Sequence, residues 1–93
     1  MTGPQRPAGD QEAAATAEPQ VVVDARGLRC PLPVIELARA AQGSPAGTVV
    51  EVWATDPAAR ADIPAWCRMR GQDYLGEVAT DGEHAAYRVR TVG

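Results

Sequence analysis

The sequence predicts a two-layer α/β sandwich, in which one mixed four-stranded sheet carries two helices on one face. Three observations favour this fold class. Strand-like and helix-like stretches alternate over the first part of the folded region. Two further strand patterns then follow each other around an Asp-Gly pair, which is a frequent hairpin turn. The resulting order is β-α-β-α-β-β, with an alternating start and an antiparallel finish.

The first three elements have clear boundary residues. A β-branched run at Val21–Asp24 predicts a strand. Residues Pro31–Gln42 predict a helix, because apolar side chains recur there with helical spacing. The recurring side chains are Val34, Leu37, Ala38 and Ala41. Gly43 stands where a helix commonly ends, and Thr48–Ala54 predicts the second strand.

Thr55-Asp56-Pro57 is typical of a helix start, with Asp56 as a capping residue before a proline. The second helix itself is expected from about Asp62 to Arg70, after a short turn at 57–61. Asp62 would cap this helix, since aspartate is a preferred N-cap residue. Pro64 would then lie in the first turn, where its missing amide hydrogen has no cost. Gly71 is expected to end the helix, because glycine is favoured just beyond the last turn.

The chain closes with a predicted hairpin. Residues Tyr74–Thr80 and His84–Val92 predict its two strands, and Asp81-Gly82 between them favours a tight turn. The first two strands of the chain are connected through a helix, and this antiparallel pair is expected to join them in one sheet. The sheet is therefore expected to be mixed.

The composition restricts the chain to one small domain. Residues 1–19 contain no Val, Ile or Leu and are rich in Pro, Gly, Ala and Gln, which predicts a disordered tail. The folded domain is therefore expected at residues 20–93, near the lower size at which a domain folds unaided. No long apolar run and no secretory signal is present, so the sequence predicts a cytoplasmic protein without a membrane span. Nothing in the sequence requires more than a monomer.

The charge balance argues against direct binding of nucleic acid. The nine basic residues are all Arg, and the formal net charge is −3 at pH 7. Proteins that hold the phosphates of nucleic acids are usually clearly basic. We therefore expect neither a nucleic-acid partner nor a membrane partner.

Cys30 is the strongest candidate for a functional residue. It lies between the first strand and the first helix, and the following Pro31 disfavours the helical conformation at Cys30, as an N-cap requires. A thiol there would lie at the positive end of the helix dipole and near the free amide of Leu32, a position that favours the thiolate. Arg26 and Arg29 flank it and would add to this effect. Pro31 and Pro33 would stiffen the loop that presents the sulfur.

The sequence leaves other interpretations open for Cys30 and for the remaining candidate residues. Cys30 could instead be a small buried hydrophobe. Cys67 lies on the apolar face of the second helix, so a buried structural thiol explains it better than a resolving thiol or a disulfide partner. His84, beside the hairpin turn, is expected in solvent. No cluster has the spacing of a zinc site, and neither a metal nor a cofactor is expected.

The segment around Cys30 resembles the signature of the TusA/SirA-like sulfur-carrier family, whose hallmark is a Cys-Pro-x-Pro motif at the start of the first helix. The residues that carry the resemblance are Asp24-Ala25-Arg26-Gly27-Leu28-Arg29-Cys30-Pro31-Leu32-Pro33-Val34. Two later segments resemble the family's Asp-Pro and Asp-Ile-Pro stretches, and a third resembles its final hairpin. These are Thr55-Asp56-Pro57, Asp62-Ile63-Pro64-Ala65-Trp66-Cys67 and Thr80-Asp81-Gly82.

The resemblance implies a sulfurtransferase that works as a carrier. In the family, the cysteine that matches Cys30 accepts a sulfane sulfur as a persulfide and passes it on. The donor is typically a cysteine desulfurase or a rhodanese-like protein, and the acceptor proteins serve tRNA thiolation, molybdenum-cofactor synthesis or sulfur oxidation. The alternative is a non-catalytic adaptor or regulatory module of the same fold, which would bind partners through Arg26, Arg29 and the second helix.

Overall fold

The computed structural model describes residues 18–92 and confirms the predicted fold class and order of elements. Strands and helices alternate and are followed by two consecutive strands. The elements are β1 (Val21–Ala25), α1 (Leu32–Gln42), β2 (Val49–Ala54), α2 (Ala59–Arg70), β3 (Asp73–Val78) and β4 (Ala85–Arg90). The predicted tail at residues 1–19 lies outside the described residues, apart from Glu18 and Pro19.

The four strands form one mixed sheet in the order β1-β2-β4-β3. Strands β1 and β2 run parallel, with Val21 opposite Val50 and Ala25 opposite Ala54. Strand β4 is antiparallel to both of its neighbours, β2 and β3. Because β1 and β2 end at the same edge of the sheet, the loops that follow them are neighbours.

Both helices pack on one face of the sheet and form the hydrophobic core there. The largest fully buried side chains of this core are Tyr87, Leu37, Ile63, Val50, Val52 and Val89. Removing such apolar surface from water contributes roughly 25 cal/mol per Å². Cys67 belongs to this core and is only 1% exposed, which agrees with the structural thiol expected from the sequence.

The other face of the sheet carries a nearly buried ion pair. Glu51 in β2 and Arg88 in β4 are opposite each other in register, and Arg88 Nε lies 2.7 Å from Glu51 Oε1. Trp53 donates its indole N–H to Glu51 Oε2 at 2.6 Å. The side chains of Arg88 and Glu51 are only 16% and 12% exposed. Both carboxylate oxygens of Glu51 are therefore occupied within the sheet.

Helix α2 begins at Ala59, three residues before the predicted start at Asp62. Asp56 Oδ1 accepts the Ala58 N–H at 2.9 Å, and the Asp62 N–H already bonds to the Ala58 carbonyl at 3.0 Å. Residues 59–61, which were predicted as part of a turn, therefore belong to the helix. As a result, Pro64 lies inside the helix and not in its first turn.

The predicted hairpin is present, but its turn is longer than the expected residues 81–83, because β3 ends at Val78 and β4 begins at Ala85. Residues 79–84 form a wider loop. Thr80 closes it by donating its hydroxyl to the His84 carbonyl at 2.8 Å. The His84 ring is half-buried beside Trp53, with 5.1 Å between ring centroids, and is not simply solvated as expected.

Both ends of the described chain are tied to the start of β2. Gln20 donates its N–H to the Val49 carbonyl at 2.8 Å, and its side-chain oxygen accepts the Val49 N–H at 2.9 Å. Beyond β4, Thr91 donates its N–H to the Thr48 carbonyl at 2.9 Å and accepts the Thr48 N–H on its hydroxyl at 3.0 Å. The chain therefore enters and leaves the sheet at the same end, which is opposite the β1–α1 loop.

The two glycines that end the helices are expected to respond differently to alanine. Gly71 ends α2 with a φ of 70°, which L-residues rarely adopt, whereas Gly43 ends α1 with a φ of −86°. An added Cβ at Gly71 meets no atom within 4 Å, so its cost comes from the backbone alone. We expect Gly71→Ala to lower the free energy of unfolding by about 1 kcal/mol. Gly43→Ala should change it by less than about 0.5 kcal/mol.

Urea unfolding of both variants beside the unchanged protein measures this difference. Equal losses for the two substitutions would contradict the role of the left-handed backbone at Gly71.

Candidate functional site

Two adjacent loops hold Cys30 at the end of the sheet where β1 and β2 finish. The β1–α1 loop carries the cysteine, and the β2–α2 loop supports it from the side. Thr55 Oγ1 accepts the Gly27 N–H at 2.9 Å, and Asp56 Oδ2 accepts the Cys30 N–H at 3.1 Å. The backbone of Cys30 is therefore fixed by residues that follow the neighbouring strand.

Pro31, and not Cys30, is the N-cap of α1. The Pro31 carbonyl accepts the Ile35 N–H at 3.0 Å, which is the first backbone bond of the helix. The Leu32 N–H closes a turn on the Arg29 carbonyl at 2.8 Å, so it does not face the sulfur. The expectation that Cys30 caps the helix and gains the amide of Leu32 is therefore wrong.

The surroundings of Cys30 are partly apolar. Pro33 is fully buried in the core and fixes the first turn of α1, whereas Pro31 is exposed. Leu32 and Ile35, in the same turn, are 44% and 43% exposed, which is unusual for large aliphatic side chains. We call Cys30 and its exposed neighbours Arg29, Leu32 and Ile35 the Cys30 surface.

The thiol of Cys30 favours its protonated form. Partial burial raises its pKa to about 11, together with a hydrogen bond to the Asp62 carboxylate and the negative charges of Asp62 and Asp56. The expected thiolate-favouring environment is therefore wrong. Burial is the largest cause, and the two carboxylates near the start of α2, which lie far from Cys30 along the chain, add to it.

Arg26 is engaged away from the sulfur. Its guanidinium binds both carboxylate oxygens of Asp24, each at 2.8 Å, and lies 4.9 Å from the centre of the Trp53 ring. These hydrogen bonds hold the pKa of Asp24 near 2. Arg26 thus fixes the turn after β1 and does not supply charge to the thiol.

Arg29 acts on the carboxylate that supports Cys30. The backbone N–H groups of Ala58 and Cys30 lower the pKa of Asp56, and the positive charge of Arg29 lowers it further. Asp56 therefore remains an anion that holds the start of α2 and the Cys30 loop together.

The sequence marked Asp56 and Asp62 only as helix caps and did not connect either of them with Cys30. Asp56 Oδ1 accepts the N–H of Ala58, the N-cap residue of α2, and its second oxygen accepts the Cys30 N–H. Asp62 lies inside the first turn of α2 and does not cap the helix, and its negative charge contributes to the raised pKa of the Cys30 thiol. The sequence did carry a signal that Asp56 lies near Cys30. Asp56 follows the second strand and Cys30 follows the first, and two parallel strands end at the same edge of a sheet.

The other features of the described residues lie apart from this site. Cys67 is buried, which raises the pKa of its thiol to about 11, and both cysteines are free thiols. A cavity of about 360 Å³ lies near the far ends of the helices, beside Trp66 and Arg70. Within residues 18–92, no three His, Cys, Asp or Glu side chains are grouped to hold a metal ion. No helix in this range is long and apolar enough to cross a membrane.

The chain is similar in sequence to proteins described as sulfur carriers. The family model described as "Sulfurtransferase TusA" matches residues 21–91. A putative sulfur carrier protein of Bacillus subtilis, YrkF, is 38% identical over 73 residues, which are 78% of this chain and 39% of that protein. The chain thus spans well under half the length of that relative. The sulfur carrier protein TusA of Pseudomonas savastanoi pv. phaseolicola is 43% identical over 61 residues, which are 66% of this chain and 73% of that protein.

The fold has a counterpart among solved structures. The crystal structure of a SirA-like protein from Desulfitobacterium hafniense superposes with a TM-score of 0.69 at 23% identity. The match covers 80% of this chain and 100% of that chain. At this level of identity the likeness concerns the fold alone.

Proposed function

Because the chain belongs to the TusA sulfurtransferase family, we propose that it carries sulfane sulfur as a persulfide on Cys30 between partner proteins. The observation that carries this proposal is the half-buried thiol on a loop held rigidly at the end of the sheet. Cys30 lies within the part of the chain that the family model covers, and the second cysteine is buried in the core. Cys30 is therefore the thiol that a partner reaches.

The proposed step moves one sulfur atom without net oxidation. The Cys30 sulfur attacks the terminal sulfur of a donor persulfide, R–S–SH, and the donor's S–S bond breaks. A new S–S bond forms on Cys30, and the donor leaves as its thiol after taking up the proton that Cys30 loses. In the second half, an acceptor thiolate attacks the terminal sulfur of Cys30–S–SH, the S–S bond on Cys30 breaks, and Cys30 leaves as a thiolate that takes up a proton from solvent. The donor we propose is a cysteine desulfurase or a rhodanese-like protein.

The neighbours of Cys30 would act by positioning the sulfur. Pro33 in the core and Pro31 at the cap fix the path of the loop. Arg26 holds the turn after β1 through Asp24, and Arg29 balances the charge of Asp56. None of these residues needs to take part in the bond changes.

The Cys30 surface fits a protein partner. Its exposed Leu32 and Ile35 offer apolar area beside the thiol, and such residues are common at protein interfaces. Acceptor proteins in tRNA thiolation, molybdenum-cofactor synthesis or other sulfur metabolism would dock there. The acidic net charge favours these protein partners over nucleic acid. We propose that the carrier works as a monomer in the cytoplasm, where thiols stay reduced.

Sulfur loading followed by intact mass measurement tests the carrier function. The purified chain is incubated with a cysteine desulfurase and L-cysteine, and in parallel with a rhodanese and thiosulfate. We expect the mass of one sulfur atom on the peptide that contains Cys30, removable by a reductant. Cys30→Ala should gain no sulfur, whereas the matched variant Cys67→Ala should load normally.

The adaptor alternative predicts a different result. If neither donor loads Cys30 and both still bind the chain, a binding role without sulfur transfer explains the protein better. Binding that persists unchanged in Cys30→Ser would support the adaptor further.

A further inference from the structure

Two side chains in the β2–α2 loop accept backbone hydrogens of the β1–α1 loop. Thr55 Oγ1 accepts the Gly27 N–H at 2.9 Å, and Asp56 Oδ2 accepts the Cys30 N–H at 3.1 Å. The partners of these bonds lie 28 and 26 positions apart in the chain. The loop that carries the thiol is therefore attached to its neighbour at two points. We call Thr55 and Asp56 the loop clasp.

The chain between the two attachment points follows a defined path. Gly27 adopts a φ of 83°, in the left-handed region, and turns the chain after β1. The next residue, Leu28, donates its N–H to the Ala25 carbonyl at 3.1 Å and packs against the core. Cys30 then lies at the second attachment point. A shift at either point would therefore move the sulfur.

The loop clasp is itself anchored at the start of α2. Asp56 Oδ1 accepts the Ala58 N–H at 2.9 Å, and the Asp56 carbonyl accepts the Ala59 N–H at 3.1 Å. Ala59 is fully buried in the core. The position of Cys30 is thus fixed relative to the core through α2 as well as through its own loop. Thr55, in contrast, is exposed, so its replacement tests a single hydrogen bond.

A fixed position of the sulfur matters most when the sulfur donor is a protein. A docked donor holds its own persulfide in place, so its terminal sulfur and the Cys30 sulfur must meet at the correct distance and direction. A displacement of about 1 Å can slow a reaction about a hundredfold. A small disulfide in solution can approach Cys30 from any open direction. Its reaction therefore depends far less on where the loop places the thiol.

We propose that Thr55 and Asp56 are positioning residues, which hold Cys30 where the sulfur of a docked partner protein can reach it. This role rests on the proposed function and extends the positioning group from the Cys30 loop to the neighbouring loop. Neither residue takes part in the bond changes. Loss of the loop clasp should therefore slow sulfur transfer within the complex of donor and carrier and leave their affinity unchanged.

Sulfur transfer from a cysteine desulfurase to Thr55→Val measures this effect, because valine replaces the hydroxyl by a methyl group of similar shape. The desulfurase is first loaded with sulfur by L-cysteine. Transfer to excess carrier is then followed by intact mass at a series of carrier concentrations, which separates the maximal rate from the half-saturating concentration. We expect Thr55→Val to lower the maximal rate about tenfold at an unchanged half-saturating concentration. Thr55→Ser keeps the acceptor oxygen and should transfer at nearly the full rate.

Two further variants define the contribution of the loop clasp. Asp56→Asn leaves one acceptor oxygen for the N–H groups of Ala58 and Cys30, so the maximal rate should fall at least as far as in Thr55→Val. Thr80→Val is the matched control. Thr80 lies in a loop at the same end of the sheet and donates its hydroxyl to the His84 carbonyl. This variant should accept sulfur at the rate of the unchanged protein.

Exchange with hydroxyethyl disulfide separates positioning from a general loss of structure. Cys30–S⁻ attacks one sulfur of this neutral reagent, a mixed disulfide forms, and mercaptoethanol leaves as its thiolate. At pH 7 the rate for Thr55→Val should stay within about twofold of the rate for the unchanged protein. Asp56→Asn should react as fast or faster, because it loses a negative charge near the thiol.

The positioning role is overturned if Thr55→Val accepts sulfur as fast as the unchanged protein, or if Thr55→Ser is as slow as Thr55→Val. It is also overturned if the loss appears in the half-saturating concentration, which would mean that Thr55 contacts the donor. An equal loss with hydroxyethyl disulfide would overturn it as well. If the unchanged protein takes up no sulfur, the proposed function itself fails and the positioning role falls with it.

Discussion

Alkylation of Cys30 by iodoacetamide should reach half of its maximal rate near pH 11, about two pH units above an ordinary thiol. The folded protein raises the pKa of this thiol from 9.0 to about 11, first through burial and then through Asp62 and Asp56. At pH 7 the thiolate fraction is therefore about a hundredfold smaller than for an ordinary cysteine. The higher intrinsic nucleophilicity of a more basic thiolate offsets part of this loss. The net rate at pH 7 should be about tenfold lower.

A peptide of residues 26–34 provides the reference thiol, because it contains Cys30 and both flanking arginines but neither carboxylate. Peptide mapping after alkylation distinguishes Cys30 from Cys67, which should stay unmodified in the folded protein. The prediction fails if Cys30 in the folded protein and the peptide share one pH profile.

The second large effect is expected at the ion pair on the sheet face opposite the helices. Glu51→Ala should lower the free energy of unfolding by about 3 kcal/mol, because it removes the carboxylate that lies 2.7 Å from the nearly buried Arg88 guanidinium. The same change removes the acceptor of the Trp53 indole N–H. Urea unfolding followed by circular dichroism measures the loss.

Two controls define the cause of that loss. The Arg60–Glu77 pair spans 3.1 Å, but its side chains are 70% and 38% exposed, so Arg60→Ala should cost less than about 1 kcal/mol. Replacing both members of the nearly buried pair, in Glu51→Leu/Arg88→Met, should recover much of the loss, since no unpaired charge remains. Equal costs for Glu51→Ala and Arg60→Ala would show that burial of the pair contributes nothing.

The sequence predicts the type and order of the elements but not all of their boundaries. Periodicity and β-branched runs specify β1, α1 and β2, because these signals depend on neighbours within one turn or one strand. The start of α2 was placed late, since Pro64 was assumed to need the first turn. Tertiary packing of Ile63 and Cys67 in the core, together with the hydrogen bond from the Ala58 N–H to Asp56, supports the longer helix around that proline.

The candidate site was predicted in part. The motif around Cys30 was sufficient to single out the thiol. The direction of its pKa shift could not be predicted, because it depends first on burial of the thiol and then on Asp62, which lies 32 positions away in the chain. The Leu32 N–H, which the local pattern predicted near the sulfur, is likewise taken up by the Arg29 carbonyl. Charge contacts between elements are set by the fold and are not encoded in local spacing.

The hydrogen bonds that tie Gln20 and Thr91 to the start of β2 have a practical consequence. The described chain leaves the domain after β4 at the end of the sheet opposite Cys30. An affinity tag, a surface tether or a fused neighbour after β4 would leave the sulfur facing outward. The carrier is thus suited to immobilisation on a sensor chip with its reactive end presented uniformly to candidate partners in solution.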